Sequence, residues 1–189
     1  CNMSEKIAVY PGSLNHDHPG HLHVIRQAAQ VFDRVIVLIA ENPEKSDPIN
    51  PILRMKWIRE MTTGYDWSDK VSVQYTPEAL VDFCFENNIS YIVRGLRNGT
   101  DLEFEKTQME YNYCLCESPA SLQYVFFTTP AHSEHMSSSG VRQFVKYGTA
   151  GKLINLYFLS GWGTFPDTVK EIYESKIGRA VQQECRDRS

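Results

Sequence analysis

The 189-residue chain lacks any apolar run of the roughly 20 residues needed to cross a bilayer, so no membrane helix is expected. It also lacks a basic excess. Its 19 Lys and Arg face 23 Asp and Glu, for a formal net charge of −4. A protein that mainly grips a nucleic-acid backbone is usually basic, so no nucleic-acid partner is expected, and any anion recognised here is small and bound locally. The five cysteines are scattered; Cys114 and Cys116 are the nearest pair, with no second pair to complete a zinc set. Free thiols in a reducing cytoplasm are the expectation. No leader is expected either, because Cys1-Asn2-Met3 passes straight into a strand-like run. Sequence repeats, low-complexity blocks and interdomain linkers are absent.

What remains is a globular composition, 42% hydrophobic and 22% charged, of a size to bury one sizeable core. A single domain is expected over residues 6–177. Residues 1–5 and 178–189 read as peripheral or vector-derived ends, the latter polar and without apolar period.

Along that domain, strand-like and helix-like segments alternate. Lys6 to Tyr10 is β-rich and stops at Pro11-Gly12; Leu22, Ile25, Ala29 and Phe32 recur at helical spacing; Arg34 to Ala40 is nearly all apolar, as suits a strand covered on both faces. The pattern continues with a helix marked by Leu53, Trp57 and Met61, a strand at Val71–Tyr75 and a helix at Glu78–Glu86. Then come a strand at Tyr91–Val93 with a turn at Arg94–Arg97, a helix at Asp101–Cys116, and a strand at Gln123–Phe127. A further helix is expected near Ser138 and a last one after Pro166. This alternation predicts an α/β fold: a doubly wound parallel five-stranded sheet with helices on both faces. Ligands of such sheets bind beyond the carboxyl ends of the strands.

The chemistry-bearing residues fall at those ends. Tyr10-Pro11-Gly12-Ser13 is followed by His18-Pro19-Gly20-His21. Gly12 is expected to turn the chain sharply and let a phosphate approach the backbone. Gly20-His21 is expected to open a helix whose N-terminus favours anions, with His21 able to donate to a phosphoryl oxygen as charge builds. Arg94-Gly95-Leu96-Arg97 offers two guanidinium forks suited to phosphate, with Asp101, Glu103 and Glu105 close behind as partners. Ser137, Ser138 and Ser139 precede a helix, where serines are ordinarily caps but can also serve a triphosphate. Lys45 sits in the polar loop Asn42–Lys45, a context that alone suggests only solvent.

The pattern His-x-Gly-His at His18–His21 is the signature that the nucleotidylyltransferase superfamily carries, on a Rossmann-like fold. With Arg-Gly-Leu-Arg, Asp-x-Glu-x-Glu and the triple serine, the chain resembles the phosphopantetheine adenylyltransferase family from about Lys6 to Val145. That resemblance implies transfer of the adenylyl group of ATP to 4'-phosphopantetheine, with Mg2+ accompanying ATP and no protein metal site. It implies catalytic roles for His21, Lys45 and Arg94. It assigns ATP to Ser13, Leu14, His18, Gly20, Gly95, Leu96, Arg97, Glu105, Ser137, Ser138 and Ser139. It assigns the acceptor to Ser13, Lys45, Leu80, Arg94 and Asn112, although Leu80 and Asn112 read by themselves as a core leucine and a helix-surface asparagine. Arg54 also matches the family pattern, and a homo-oligomer, a hexamer in that family, is implied.

The chain departs from the family in its first loop. Ser13 stands where Thr is usual, Leu14-Asn15-His16 where Phe-Asp-Pro is usual, and His18-Pro19 where Thr-Asn is usual. Lys152 to Thr164 reads as an insertion. Other readings stay open: a nicotinamide mononucleotide adenylyltransferase, a small-molecule cytidylyltransferase, or a non-catalytic nucleotide- or coenzyme-binding regulator. His16, His18 and His21, with His132 and His135, invite a metal; polar loop histidines plus one catalytic one is the favoured reading.

Overall fold

Five apolar runs become five parallel strands in the computed structural model of the protein, which describes residues 5–14, 19–40, 50–115 and 122–129. In chain order these are β1 (Ile7–Gly12), α1 (Pro19–Val31), β2 (Arg34–Ala40), α2 (Pro51–Thr62), β3 (Val71–Thr76), α3 (Leu80–Glu86), β4 (Tyr91–Leu96), α4 (Gly99–Leu115) and β5 (Gln123–Thr128). The sheet order is β3-β2-β1-β4-β5. The chain winds outward from β1 in one direction, then returns to the other side of β1 with β4. The direction of winding therefore reverses between β1 and β4, the place where an open α/β sheet offers a crevice. The expected doubly wound five-stranded architecture is observed.

Strand periodicity sorts the side chains onto two faces. Ala8, Tyr10, Val35, Val37, Ile39, Val73 and Val93 join Leu22, Ile25, Ala28, Ala29 and Ile58 in one core cluster, covered by α1 and α2. Val9, Ile36, Leu38 and Ile92 join Val81, Phe83, Cys84, Ile89 and Leu122 on the other face. Burial of each such Val, Leu or Ile contributes about 1.5–3 kcal/mol against the exposed state, so a one-residue slip of β1 or β2 would invert two full faces. Near-continuous apolar strands are what a doubly covered sheet requires.

Two local expectations are corrected. Gly12 does not make the sharp turn; it is the last residue of β1, paired with Ile39. The ladder to β2 holds it extended, and the left-handed backbone falls instead on Leu14, at φ 45°. Leu14 is only 3% exposed, and burial of its side chain offsets a conformational cost on the order of 1 kcal/mol. A Cβ at Gly12 would lie 3.3 Å from Leu14 Cγ, so the glycine makes room for this leucine. Nor do Arg94–Leu96 form a turn. Pairing with Phe126, Phe127 and Thr128 of β5 carries β4 on to Leu96. Arg94 and Gly95 therefore face opposite sides of the sheet.

Gly95 faces α1. A Cβ there would lie 2.8 Å from Val24 Cγ2, closer than side chains approach. Gly95→Ala is expected to destabilise the protein by about 1–3 kcal/mol through overpacking. Thermal melts should show the loss and its partial recovery in Gly95→Ala/Val24→Ala.

Helix ends follow local rules. Asn50 accepts from the Ile52 N–H at 2.9 Å, with Pro51 in the first turn of α2. Asn98 Oδ1 accepts from the Asp101 N–H at 3.0 Å, so α4 starts at Gly99, two residues ahead of the expected Asp101. The helices expected near Ser138 and after Pro166, and the Lys152–Thr164 insertion, lie outside the described residues. No helix among the described residues is long and apolar enough to cross a membrane.

Candidate active site

The ends of β1 and β4 bring together side chains from five elements. β1 delivers Tyr10, Pro11 and Gly12, with Ser13 and Leu14 just beyond. α1 opens at Pro19, so Gly20 and His21 occupy its first turn, as expected. There the positive end of the helix dipole favours an anion. Nδ1 of His21 lies 2.8 Å from the Tyr10 hydroxyl.

β4 delivers Arg94, whose partners are all specific. Nε and Nη2 donate to the two carboxylate oxygens of Glu105, each at 2.7 Å, and Nη1 donates to the Pro11 carbonyl at 2.8 Å. A planar guanidinium meeting a carboxylate in two parallel bonds is a strong and orienting geometry. Glu105 is buried, 7% exposed, and is the inward-facing residue of α4. Burial works to lower the Arg94 pKa, but the hydrogen bonds and charge of Glu105 outweigh it, so the guanidinium is held charged above its ordinary value. The resemblance divides this pair between two ligands, Arg94 on the acceptor and Glu105 on ATP. The structure joins them. The carboxylate, placed one and two turns from Asp101 and Asn112, turns inward onto the strand rather than toward the helix N-terminus.

A second guanidinium supports the same loop. Arg54 of α2 is 1% exposed, and its Nη1 donates to the Ser13 carbonyl. Two cations from different elements thus hold the carbonyls of Pro11 and Ser13.

Arg97 is placed differently. Its backbone N–H and its Nε and Nη2 all donate to Asp101, at 2.9, 3.0 and 3.0 Å. The Arg97 hydrogen bond, against some desolvation, holds the Asp101 carboxyl below its ordinary range. The pair is partly exposed and orders the start of α4.

Among the other expected ligands, Gly20 is buried, Leu96 is half-buried at the end of β4, and Gly95 serves the contact with α1. The Leu14 side chain belongs to the core, which leaves its backbone as the part open to a nucleotide. Leu80 opens α3 and packs on the face that also receives Tyr113 and Tyr124. Asn112 Nδ2 donates to the Tyr124 hydroxyl at 2.6 Å. Burial pushes the Tyr124 phenol up, against the opposing effects of Asn112 and Arg94. Arg94, Leu80 and Asn112 therefore share one side of the sheet. His18, Lys45, Ser137, Ser138 and Ser139 lie outside the described residues, as do His16, His132 and His135.

Among the described residues no group of three or more His, Cys, Asp or Glu converges to hold a metal. The acidic side chains at the crevice, Asp101 and Glu105, are engaged by arginines. The sequence reading missed Tyr10 and Tyr124 as partners of site residues, since each contact is made between elements and leaves no spacing signal.

A doubly wound parallel sheet with His21 in the first turn of α1 and a clamped arginine at the end of β4 is the arrangement expected of a nucleotidylyltransferase-type domain. The cytidylyltransferase-like family model matches residues 9–144. Phosphopantetheine adenylyltransferase of Clostridium novyi (strain NT) is 34% identical over 143 residues, 76% of this chain and 85% of its own. That of Christiangramia forsetii is 34% identical over 76% of this chain and 90% of its own. This chain belongs to the cytidylyltransferase-like family and, within it, to the phosphopantetheine adenylyltransferases. The fold is shared with Plasmodium falciparum nicotinic acid mononucleotide adenylyltransferase complexed with NaAD, at a TM-score of 0.59 and 16% identity over 90% of this chain and 97% of that one. It is also shared with a bifunctional NMN adenylyltransferase/ADP ribose pyrophosphatase from Francisella tularensis, at 0.53 and 19% identity over 76% of this chain and 42% of that one.

Proposed function

We propose that this protein transfers the adenylyl group of ATP to 4'-phosphopantetheine, giving dephospho-coenzyme A and pyrophosphate. The observation that carries this reading is the Arg94–Glu105 clamp at the end of β4, beside a β1 strand whose following helix α1 carries His21 in its first turn, in a chain of this family.

A phosphate oxygen of the acceptor attacks the α-phosphorus of ATP in line. The new P–O bond forms as the bond to the β-phosphate breaks, and pyrophosphate leaves. The acceptor is already an anionic nucleophile, so positioning and charge stabilisation suffice and no protein nucleophile is required. His21 donates to the α-phosphoryl oxygen as charge builds. Arg94 presents the N–H groups not spent on Glu105 and Pro11 to the acceptor phosphate. Ser13 and Lys45 hold the reacting phosphates, while His18, Arg97 and Ser137–Ser139 hold ATP. ATP enters as its magnesium complex, the ion held by phosphate and water oxygens. Leu80 and Asn112 flank the pantetheine arm. A single domain over residues 6–177, a cytoplasmic location and a homo-oligomer, hexameric as in the family, belong to the same reading.

The test is pyrophosphate release from ATP or CTP, each offered 4'-phosphopantetheine or nicotinamide mononucleotide. Turnover only with ATP and 4'-phosphopantetheine is expected. Turnover confined to CTP or to the mononucleotide, or tight coenzyme binding without any release, overturns the proposal.

A further inference from the structure

Tyr10 sits in the central strand β1, between β2 and β4, and is 6% exposed. Its side chain faces α1, and its ring lies 6.1 Å from that of His21, tilted by 54°. The hydroxyl is 2.8 Å from Nδ1. A phenol anchored in a sheet cannot follow a loosely held imidazole, so this contact sets the ring of His21 from a rigid base.

The identity of the partner atom matters. A neutral imidazole carries one proton, and what one ring nitrogen bonds decides where that proton resides. A carbonyl or carboxylate opposite Nδ1 would draw the proton to Nδ1 and leave Nε2 bare. A phenol has a proton to give, and with an ordinary pKa of about 10 it keeps that proton near neutral pH.

We propose that Tyr10 is a positioning residue for adenylyl transfer: by donating its hydroxyl proton to Nδ1 it holds His21 as the Nε2–H tautomer, an uncharged donor for the α-phosphoryl oxygen. This rests on the reading of the chain as an adenylyltransferase with His21 at that oxygen. It also explains how a histidine can serve a phosphate at neutral pH without depending on protonation of the ring.

The test is Tyr10→Phe, which keeps the ring and removes the hydroxyl. kcat is expected to fall about tenfold, the worth of one hydrogen bond, while KM for ATP moves less than about twofold. The spectroscopic signature comes from nitrogen NMR of the imidazoles near pH 8, above the ordinary histidine pKa of about 6.5. The His21 signals are assigned by their loss in His21→Gln. The wild-type protein should show a protonated Nε2 and a bare Nδ1, and Tyr10→Phe a mixture of tautomers. A wild-type His21 protonated at Nδ1 overturns the proposal, whatever the stability of the variant. So does a fall in kcat with the tautomer unmoved, since a structural defect alone would do that. If the wild-type protein releases no pyrophosphate, adenylyl transfer is lost, and the tautomer measurement still decides whether Tyr10 sets His21.

Discussion

Replacing His21 with alanine is expected to lower kcat by about a hundred- to a thousandfold, the cost of removing one preorganised donor from a developing oxyanion. The affinity for ATP should change little. The first-turn N–H groups of α1 remain, and they carry ground-state attraction for the phosphates without His21. The reaction asks for a donor that matters more as the α-phosphorus passes through its transition state than before it, so the loss belongs in kcat rather than in KM. Single-turnover pyrophosphate release, with nucleotide binding measured separately by calorimetry, checks both halves. Undiminished turnover would remove His21 from the chemistry.

The second large effect concerns Glu105. Glu105→Gln takes the charge from one side of a clamp that is mostly shielded from water, with side-chain exposures of 26% for Arg94 and 10% for Glu105. The expected cost is about 2–3 kcal/mol, from two weakened charge-assisted bonds and an arginine left without its counter-charge. For a chain of this size that is a fall in Tm of roughly 5–10 °C. Activity should fall further than stability explains, because Arg94 loses the fixed plane in which, by the proposed function, it meets an acceptor phosphate. Arg94→Met/Glu105→Leu separates the two contributions. Removing both charges leaves neither uncompensated, so this double variant should melt closer to the wild-type protein than Glu105→Gln does. It should nevertheless be nearly inactive. A double variant that melts lower still, or that turns over normally, would show that the clamp is not organised in this way.

The sheet was legible in the sequence because its strands are buried on both faces and read as apolar runs: Arg34–Ala40 is delimited to the residue. The start of α1 was equally plain, since Pro19-Gly20-His21 combines a favoured first-turn residue with a break in the apolar pattern. The end of β4 was not. Arg94 and Gly95 read locally as a turn, and only pairing with β5, whose register the sequence does not display, keeps them extended. Leu14 misleads in the same way. A leucine is a poor candidate for a left-handed backbone, and the glycine two residues earlier is a better one, until the core is seen to claim the leucine side chain. The resemblance named Glu105 but gave it a ligand. Its bond to Arg94, eleven residues back on a neighbouring element, follows from the inward face of α4 and leaves no local signal. Tyr10 lies eleven residues from His21 and was read only as a strand residue, since nothing in its neighbours marks a hydroxyl that matters.

The bond from Arg94 to the Pro11 carbonyl joins residues 83 apart in the chain. The two sides of the crevice are therefore made at very different times during synthesis. Until residues 91–96 emerge and enter the sheet, the three strands β3-β2-β1 expose the apolar edge of β1 where β4 will lie. Contacts of such long range form slowly, because chain closure is opposed before any burial rewards it. The step that hides this adhesive edge is the same one that carries Arg94 to the Pro11 carbonyl near the end of β1. A nascent or truncated chain ending ahead of Tyr91 would thus lack Arg94 and its clamp and present an unpaired strand to its neighbours. Defects that slow the docking of β4 would then appear first as aggregation in the cell, and only afterwards as a loss of turnover.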